Sequence, residues 1–190
     1  IGALRSGLGE DWPFESFPEY LAAIDNLEPA INVGVLMGHT PLRTYIMGEE
    51  ATEREATNDE ITQMCGLLAD GIKAGALGFA TSKASTHVGF EGRPVPSRVA
   101  SAHEINSLCN VLGNLDKGIV QATVGRELFL DEFEQIARRT RRPITWTALL
   151  AGLSLGKGGH EDQLAASKVL AANGLKISPQ VTPRPLNFEY

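Results

Sequence analysis

Apolar positions along the chain follow two patterns that alternate from one end to the other. Five short apolar runs have the length and the flanking turn residues of β-strands: 31–37, 76–80, 118–124, 143–149 and 175–181. In other segments apolar residues recur three and four positions apart, which predicts helices at 17–27, 57–74, 101–112, 130–139 and 161–173. Strands that alternate with helices in this way indicate a parallel sheet with right-handed crossover connections.

Two of the predicted helices begin with the signature of a capping box, a Ser or Thr followed three residues later by Glu. The first pair is Thr57 and Glu60, and the second pair is Ser101 and Glu104. In such a box each side chain bonds to the backbone of the other residue at the start of the helix. The two signatures therefore predict where these helices start.

The order of elements is compatible with two α/β architectures, an open doubly wound sheet and part of a (β/α)8 barrel. A complete barrel typically needs ~250 residues, whereas this chain has 190. We interpret residues 1–190 as a single domain with about five strands and their helices, part of an incomplete TIM-type barrel. Segment 83–100 is long, irregular and rich in Gly and Pro, which predicts an active-site loop.

Composition and charge exclude several classes of protein. Hydrophobic residues make up 43% of the chain and charged residues 21%, as in a folded globular protein. The net charge of −6 argues against nucleic-acid binding, and no apolar run approaches the ~20 residues of a membrane span. The basic cluster 138–142 is interpreted as the solvated end of a helix. Cys65 and Cys109 fall inside predicted helices, and as reduced core residues they suit a cytoplasmic protein.

Polar side chains gather where the predicted strands end, which is where α/β proteins place their chemistry. In segment 31–43 an apolar run stops at a glycine and continues with a histidine, a threonine and an arginine. Hydroxyls, amides and arginines suit a polar substrate with a carboxylate, which an arginine can hold with two parallel hydrogen bonds. The candidate substrate contacts are His39, Thr40, Arg43, Thr81, Ser82, His87, Gln121 and Arg184.

Further threonines and a glutamine follow the later strands, at Thr123, Thr145, Thr147 and Gln180. Hydroxyls at strand ends also commonly terminate sheets and cap helices, so the role of each one alone stays open. The sequence contains no His-x-His, His-Glu-x-x-His, P-loop or Gly-x-Ser-x-Gly motif. The chain therefore offers no recognisable set of metal ligands and no identifiable catalytic residue of its own.

Two motifs resemble one enzyme family when they are taken together. They are Gly-His-x-x-Leu-Arg at 38–43 and Gly-Ala-x-Gly-Phe-x-Thr-Ser at 75–82, with further matching pieces at 12–21 and 179–185. In this order they resemble the amidohydrolase superfamily, in the branch of the N-acyl-D-amino-acid deacylases. The resemblance implies a (β/α)8 barrel that hydrolyses an N-acylated amino acid, or a similar amide with a carboxylate. It also implies one or two zinc ions that activate a water molecule.

The resemblance places most of the zinc ligands outside this chain. In the deacylases two middle strands of the barrel supply metal-binding histidines, and the corresponding strands here are 118–124 and 144–149. Neither strand contains a histidine, and glutamine and threonine are poor substitutes for imidazole as zinc ligands. The number of bound metal ions in this branch is therefore expected to differ from that of the deacylases.

Three functions compete at this point. The first is a metal-dependent hydrolase of C–N bonds other than peptide bonds. The second is a metal-free binding protein or fragment with the same fold. The third is an unrelated α/β enzyme that uses His39 directly as an acid or base. If the chain is an incomplete barrel, it exposes sheet edges and apolar helix faces, so we then expect it to pair with another copy.

Overall fold

The computed structural model describes residues 14–152 and 158–182. Its centre is one five-stranded sheet in which all neighbouring strands are parallel. The strands are β1 (Leu36–Gly38), β2 (Gly78–Ser82), β3 (Ile119–Thr123), β4 (Ile144–Thr147) and β5 (Ile177–Pro179). The longer helices are α1 (Phe17–Asn26), α2 (His39–Met47), α3 (Asn58–Ala74), α5 (Ala102–Leu115), α6 (Leu130–Thr140) and α7 (His160–Ala172). A short helix, α4 (Pro96–Val99), precedes α5, and 3-10 turns span Gly48–Thr52 and Phe90–Gly92.

The strands lie in the sheet in the same order as in the chain, β1-β2-β3-β4-β5. A doubly wound sheet instead reverses its strand order at a switch point. Sequential parallel strands with a helix in each connection are the arrangement of consecutive units of a (β/α)8 barrel. The prediction of a partial barrel with five strands is therefore confirmed, and the doubly wound alternative is excluded.

One face of the sheet packs under the helices and holds the hydrophobic core. Alternate residues of the strands point to this face, and across the sheet they stand in register. The first row across the sheet consists of Met37, Phe79, Val120, Ile144 and Ile177, all of them buried. A second row nearer the carboxyl ends contains Thr81, Ala122 and Trp146, which are also buried.

Close approach of backbones explains one glycine in the sheet. A Cβ atom on Gly78 would lie 2.0 Å from the carbonyl oxygen of Ile119, on the neighbouring strand. Any side chain at this position would therefore push β2 and β3 apart. Glycine at this position therefore permits the close approach of the two strands.

The first predicted strand is shorter than expected, and this part of the prediction was wrong. The apolar run 31–37 predicted a strand of seven residues, but only Leu36–Gly38 is paired in the sheet. Ile31 and Val33 are 75% and 50% exposed, so the apolar character of the run does not reflect burial. Helix α2 begins at His39, directly after the last residue of this short edge strand.

The two predicted capping boxes have different outcomes. Thr57 and Glu60 form a complete box at the start of α3, with both reciprocal bonds present. Ser101 caps α5 by accepting a hydrogen bond from the backbone N–H of Glu104 at 3.2 Å. The carboxylate of Glu104 does not complete the box, because it points into the protein and bonds to side chains of α2.

Candidate functional site

The face of the sheet opposite the core is polar towards the carboxyl ends of the strands. Residues that alternate with the buried ones are only half-buried there, and they carry amide or hydroxyl groups in β3 and β4. In parallel α/β folds the carboxyl ends of the strands are where ligands bind. This polar face is therefore the candidate site.

Four side chains on this face form a continuous row of hydrogen bonds, which we call the polar ladder: Gln121, Thr147, Gln180 and Thr145. The amide nitrogen Nε2 of Gln121 donates to Oγ1 of Thr147 at 3.2 Å. That hydroxyl in turn donates to Oε1 of Gln180 at 2.9 Å, and Nε2 of Gln180 donates to Oγ1 of Thr145 at 3.3 Å. The ladder crosses three neighbouring strands and carries no formal charge.

A second pair on the same side joins β2 to the predicted active-site loop. Oγ of Ser82 and Nδ1 of His87 lie 2.6 Å apart, and the backbone N–H of Ala84 donates to the same Oγ at 3.3 Å. Lys83 holds the far end of the loop, because its Nζ donates to the carbonyl oxygens of Arg98 and Ala100. The loop is therefore tied to the end of β2 at both of its ends.

Segment 83–100 contains more regular structure than its sequence indicated. It includes the 3-10 turn Phe90–Gly92, an isolated bridge between Val88 and Pro94, and helix α4. His87 itself is exposed. A role for this segment as an active-site loop stays a prediction, supported by its position beside the polar face.

The predicted contacts His39 and Arg43 lie on the other side of the sheet, inside the protein. His39 is 1% exposed and Arg43 is 0% exposed. Nδ1 of His39 bonds to Oγ1 of Thr81 at 2.8 Å, and its Nε2 bonds to Oε1 of Glu104 at 2.7 Å. NH1 of Arg43 donates to Oε2 of the same carboxylate. We call His39, Arg43, Glu104 and Thr81 the buried ionic network.

NH2 of Arg43 donates to the carbonyl oxygens of Ala51 and Arg54, whereas its buried Nε has no hydrogen-bond partner among the described residues. The guanidinium thus joins α2 to α5 and to the turn that follows α2. Direct contact with a substrate stays a prediction for His39 and Arg43. It would require this network to open, because neither side chain reaches solvent.

Burial and charge set the protonation of this network. Desolvation lowers the pKa of His39, and the hydrogen bond to Glu104 only partly offsets that effect. His39 is therefore neutral at pH 7, and it donates from Nε2 to Glu104 and accepts from the hydroxyl of Thr81. Desolvation alone would raise the pKa of Glu104, but its hydrogen bonds to His39 and Arg43 outweigh burial, and the pKa is lowered.

The remaining predicted contacts divide between the two regions. Oγ1 of Thr40 donates to Oγ of Ser97 at 3.3 Å, which joins α2 to α4. Thr81 is 5% exposed and belongs to the buried network, whereas Ser82 and Gln121 are half-buried on the polar face. Arg184 lies outside the described residues. The structure thus brings Gln121 together with the strand-end threonines and Gln180, and it pairs Ser82 with His87.

Sequence reasoning assigned Glu104 to a helix cap and missed its place in the interior. Its partners Arg43 and His39 precede it by 61 and 65 residues, so no local pattern connects them. The signal that was present is the pair of polar residues His39 and Arg43 four positions apart, on one side of a helix.

A zinc site does not fit the described part of the chain. No group of three or more His, Cys, Asp or Glu side chains in that part is placed to hold a metal ion. The polar ladder offers amide and hydroxyl oxygens, whereas zinc in proteins prefers imidazole, thiolate and carboxylate. His87 brings an imidazole to this face through its contact with Ser82. Within those ranges, no helix is long and apolar enough to cross a membrane.

Known proteins with similar sequences include deacylases and an uncharacterized protein of Mycobacterium tuberculosis, which is 34% identical over 119 residues, 59% of this chain and 19% of that protein. N-acyl-D-aspartate deacylase of Alcaligenes xylosoxydans xylosoxydans is 32% identical over 149 residues, which are 78% of this chain and 26% of that protein. The chain spans about a fifth to a quarter of the length of these curated relatives.

Solved structures agree with the sequence matches. A D-aminoacylase with a binuclear metal centre superposes with a TM-score of 0.70 at 26% identity, over 90% of this chain and 34% of that one. An N-acyl-D-glutamate deacylase from Bordetella bronchiseptica, in complex with zinc and a phosphonate inhibitor, gives a TM-score of 0.68 at 26% identity. That match covers 94% of this chain and 36% of the deacylase.

The family model described as "Amidohydrolase family" matches residues 8–186, nearly the whole chain. The resemblance predicted from the two motifs is therefore confirmed. Strand order, the polar carboxyl ends of the strands and the matched segment all agree: the chain belongs to the amidohydrolase family.

Proposed function

We propose that this protein hydrolyses the C–N bond of an N-acylated amino acid or of a similar amide with a carboxylate. The polar ladder is the observation that carries the proposal. An amide bond presents one carbonyl acceptor and one N–H donor, and the ladder offers neutral donors and acceptors at the carboxyl ends of three strands. The deacylase relatives supply the substrate class.

The substrate side of the site is assigned to the polar face. We propose that Gln121 and Thr147 contact the amide, and that Ser82 and His87 close over it with loop 83–100. Arg43 already has its charge paired with Glu104 inside the protein. Among the predicted arginine contacts, Arg184 therefore remains the proposed partner of the substrate carboxylate.

We further propose that zinc serves this reaction, as the metal-containing relatives suggest, with ligands from outside the described residues. The described residues then bind and orient the substrate. Free thiols at Cys65 and Cys109 support the proposed cytoplasmic location. Pairing with a second copy likewise remains a proposal.

The test uses the natural gene product that contains these residues, loaded with zinc and incubated with N-acetyl-D-aspartate, N-acetyl-D-glutamate and their L isomers. Release of the free amino acid is measured. We expect release from at least one substrate, and we expect Gln121→Leu to lower kcat/KM by about tenfold or more because a polar group of the substrate loses its partner. Lys73→Gln, on the exposed side of α3, is the matched control and should leave kcat/KM unchanged.

Absence of release from all four substrates by the zinc-loaded protein would contradict the proposed reaction. If the same protein bound N-acetyl amino acids without turnover, the second hypothesis, a binding protein with this fold, would replace it. That alternative has one observation in its favour, the absence of histidine from both β3 and β4.

A further inference from the structure

A cavity with basic walls lies at the end of the sheet opposite the polar ladder. It has a volume of about 320 Å³ and is lined by Arg138, Arg141, Arg142, Gly174, Leu175 and Lys176. Residues 141–143 directly precede β4 and residues 174–176 directly precede β5. The cavity therefore opens at the amino ends of these strands, whereas Thr147 and Gln180 of the ladder lie at their carboxyl ends.

Two of the four cations are paired with acids. Arg138 bonds to Oε1 of Glu134 at 2.7 Å, and Arg142 bonds to Oδ1 of Asp116 at 2.5 Å. Neither acid is among the residues that line the cavity. The four cations and these two acids together leave two positive charges in excess.

The other two cations have no acidic partner. Within residues 14–152 and 158–182, neither Arg141 nor Lys176 has an ion pair or a side-chain hydrogen bond. The Nε atom of Arg142 is buried and also has no hydrogen-bond partner in those ranges. The donors of Arg141 and Lys176 are thus available beside one cavity, in a chain whose net charge is −6.

Local structure holds these cations in place. Arg141 ends α6 in the left-handed conformation, with φ +56°, and its backbone N–H bonds to the carbonyl oxygen of Ala137. Lys176 is held against β4, because its carbonyl oxygen accepts from the backbone N–H of Ile144 at 2.8 Å. The cavity wall is therefore built from two chain segments that the sheet keeps together.

We propose that this cavity binds a small phosphate-bearing anion at a site separate from the polar ladder. Guanidinium groups match phosphate oxygens with paired hydrogen bonds, and two excess positive charges suit a dianion better than a single carboxylate. The volume lies at the lower end of the ~300–1,000 Å³ range of small-molecule sites. The proposal does not depend on the hydrolytic function.

The test is calorimetric titration of the whole chain with inorganic pyrophosphate and, separately, with glycerol phosphate. We expect both to bind with one-to-one stoichiometry, and salt should weaken binding. The double variant Arg141→Asn, Lys176→Gln should lower the affinity for pyrophosphate by about tenfold or more, because both unpaired charges are lost. Asn is chosen at position 141 because it tolerates the left-handed conformation.

A matched double variant, Lys73→Gln with Arg126→Gln, removes the same number of positive charges from exposed positions elsewhere. It should leave the affinity within about twofold of the original. The proposal fails if neither anion binds, or if the two double variants lose the same affinity, which would indicate a general charge effect. Stronger binding of a short RNA at the same residues would also overturn it, in favour of a nucleic-acid surface.

Discussion

The two faces of the sheet carry polar groups of opposite kinds. On the helix-covered face, His39, Arg43 and Glu104 form an ionic network with less than 2% of each residue exposed. On the open face, the polar ladder consists of uncharged amides and hydroxyls that are half-buried or exposed. The charges of the first set are paired with each other inside the protein, whereas the groups of the second set remain accessible to solvent.

Burial distinguishes these two sets of polar residues better than residue type does. A histidine and an arginine after a strand suggest catalysis and carboxylate binding, but here both side chains turn into the core. Buried charges are tolerated when each has a partner, and the carboxylate of Glu104 serves both residues. Amides and threonines, which are less conspicuous in a sequence, occupy the accessible end of the sheet.

The largest expected effect comes from removing the charge at the centre of the buried network. Glu104→Gln leaves Arg43 as an uncompensated cation in the interior. We expect the free energy of unfolding to fall by ~3–5 kcal/mol, the usual cost of breaking a buried pair. Chemical denaturation monitored by circular dichroism measures the change.

The control is the exposed pair of Glu134 and Arg138, whose closest atoms are 2.7 Å apart. Glu134→Gln should cost only ~0–1 kcal/mol, because water solvates both charges. If the two variants lost similar amounts of unfolding free energy, the contrast between buried and exposed ions would be wrong.

A smaller effect is expected from pH. The ordinary pKa of histidine is 6.5, and burial lowers that of His39, so the unfolded chain binds a proton more readily than the folded one. The stability contributed by neutral His39 is present above pH 6.5 and is lost as pH falls towards the lowered pKa. Glu104 has an ordinary value of 4.5, also lowered, and its contribution is lost only below that pH. His39 and Glu104 therefore affect the stability of the protein in separate pH ranges.

Denaturation between about pH 7.5 and pH 5.5 tests the histidine window. The unmodified protein should become less stable as pH falls. His39→Gln should be less stable at the upper pH but should show a shallower dependence on pH. His103→Gln, an exposed residue of α5, should keep the original slope. Equal slopes for the original protein and the His39 variant would show that another group causes the loss.

Most of the fold was predictable because periodicity is local. The strands, and the helix starts at Thr57 and Ser101, follow from spacing within a few residues. The strand at 31–37 was overextended because a run of apolar residues does not reveal whether another segment covers it. Leu36–Gly38 pairs with β2, whereas Ile31 lies outside the sheet and is exposed.

The site was less predictable because its two networks join distant segments. The contact between His39 and Glu104 spans 65 residues, and the contact between Thr147 and Gln180 spans 33. A sequence shows that a residue follows a strand, but the twist and register of the sheet decide which face its side chain reaches. Gln121 and Ser82 reach the open face, whereas Thr81, one residue before Ser82, points into the core.

A local effect is expected at the loop beside the open face. Ser82→Ala removes the hydroxyl that contacts Nδ1 of His87 and the N–H of Ala84. Cleavage within 83–100 by a nonspecific protease should become several-fold faster, while global stability changes little, because local opening is measured separately from unfolding. Ser85→Ala, an exposed serine of the same loop, is the control. Unchanged cleavage would mean that Lys83 alone holds the loop.

The smallest change in stability is expected in the middle of the polar ladder. Thr147→Val keeps the shape of the side chain but removes a hydroxyl that accepts from Gln121 and donates to Gln180. Both amides can bond to water instead, because this face is only half-buried, so the free energy of unfolding should change by less than ~1 kcal/mol. Thr140→Val, in which a buried hydroxyl bonds to the carbonyl oxygen of Ile136 at 2.7 Å, provides the comparison on the helix-covered side. If the free energy of unfolding falls by a similarly small amount in both variants, stability does not distinguish the two faces of the sheet. The contrast between them then holds only if Thr147→Val also weakens binding of N-acetyl amino acids. A loss above ~3 kcal/mol for Thr147→Val would place the ladder among the structural networks rather than at a ligand site.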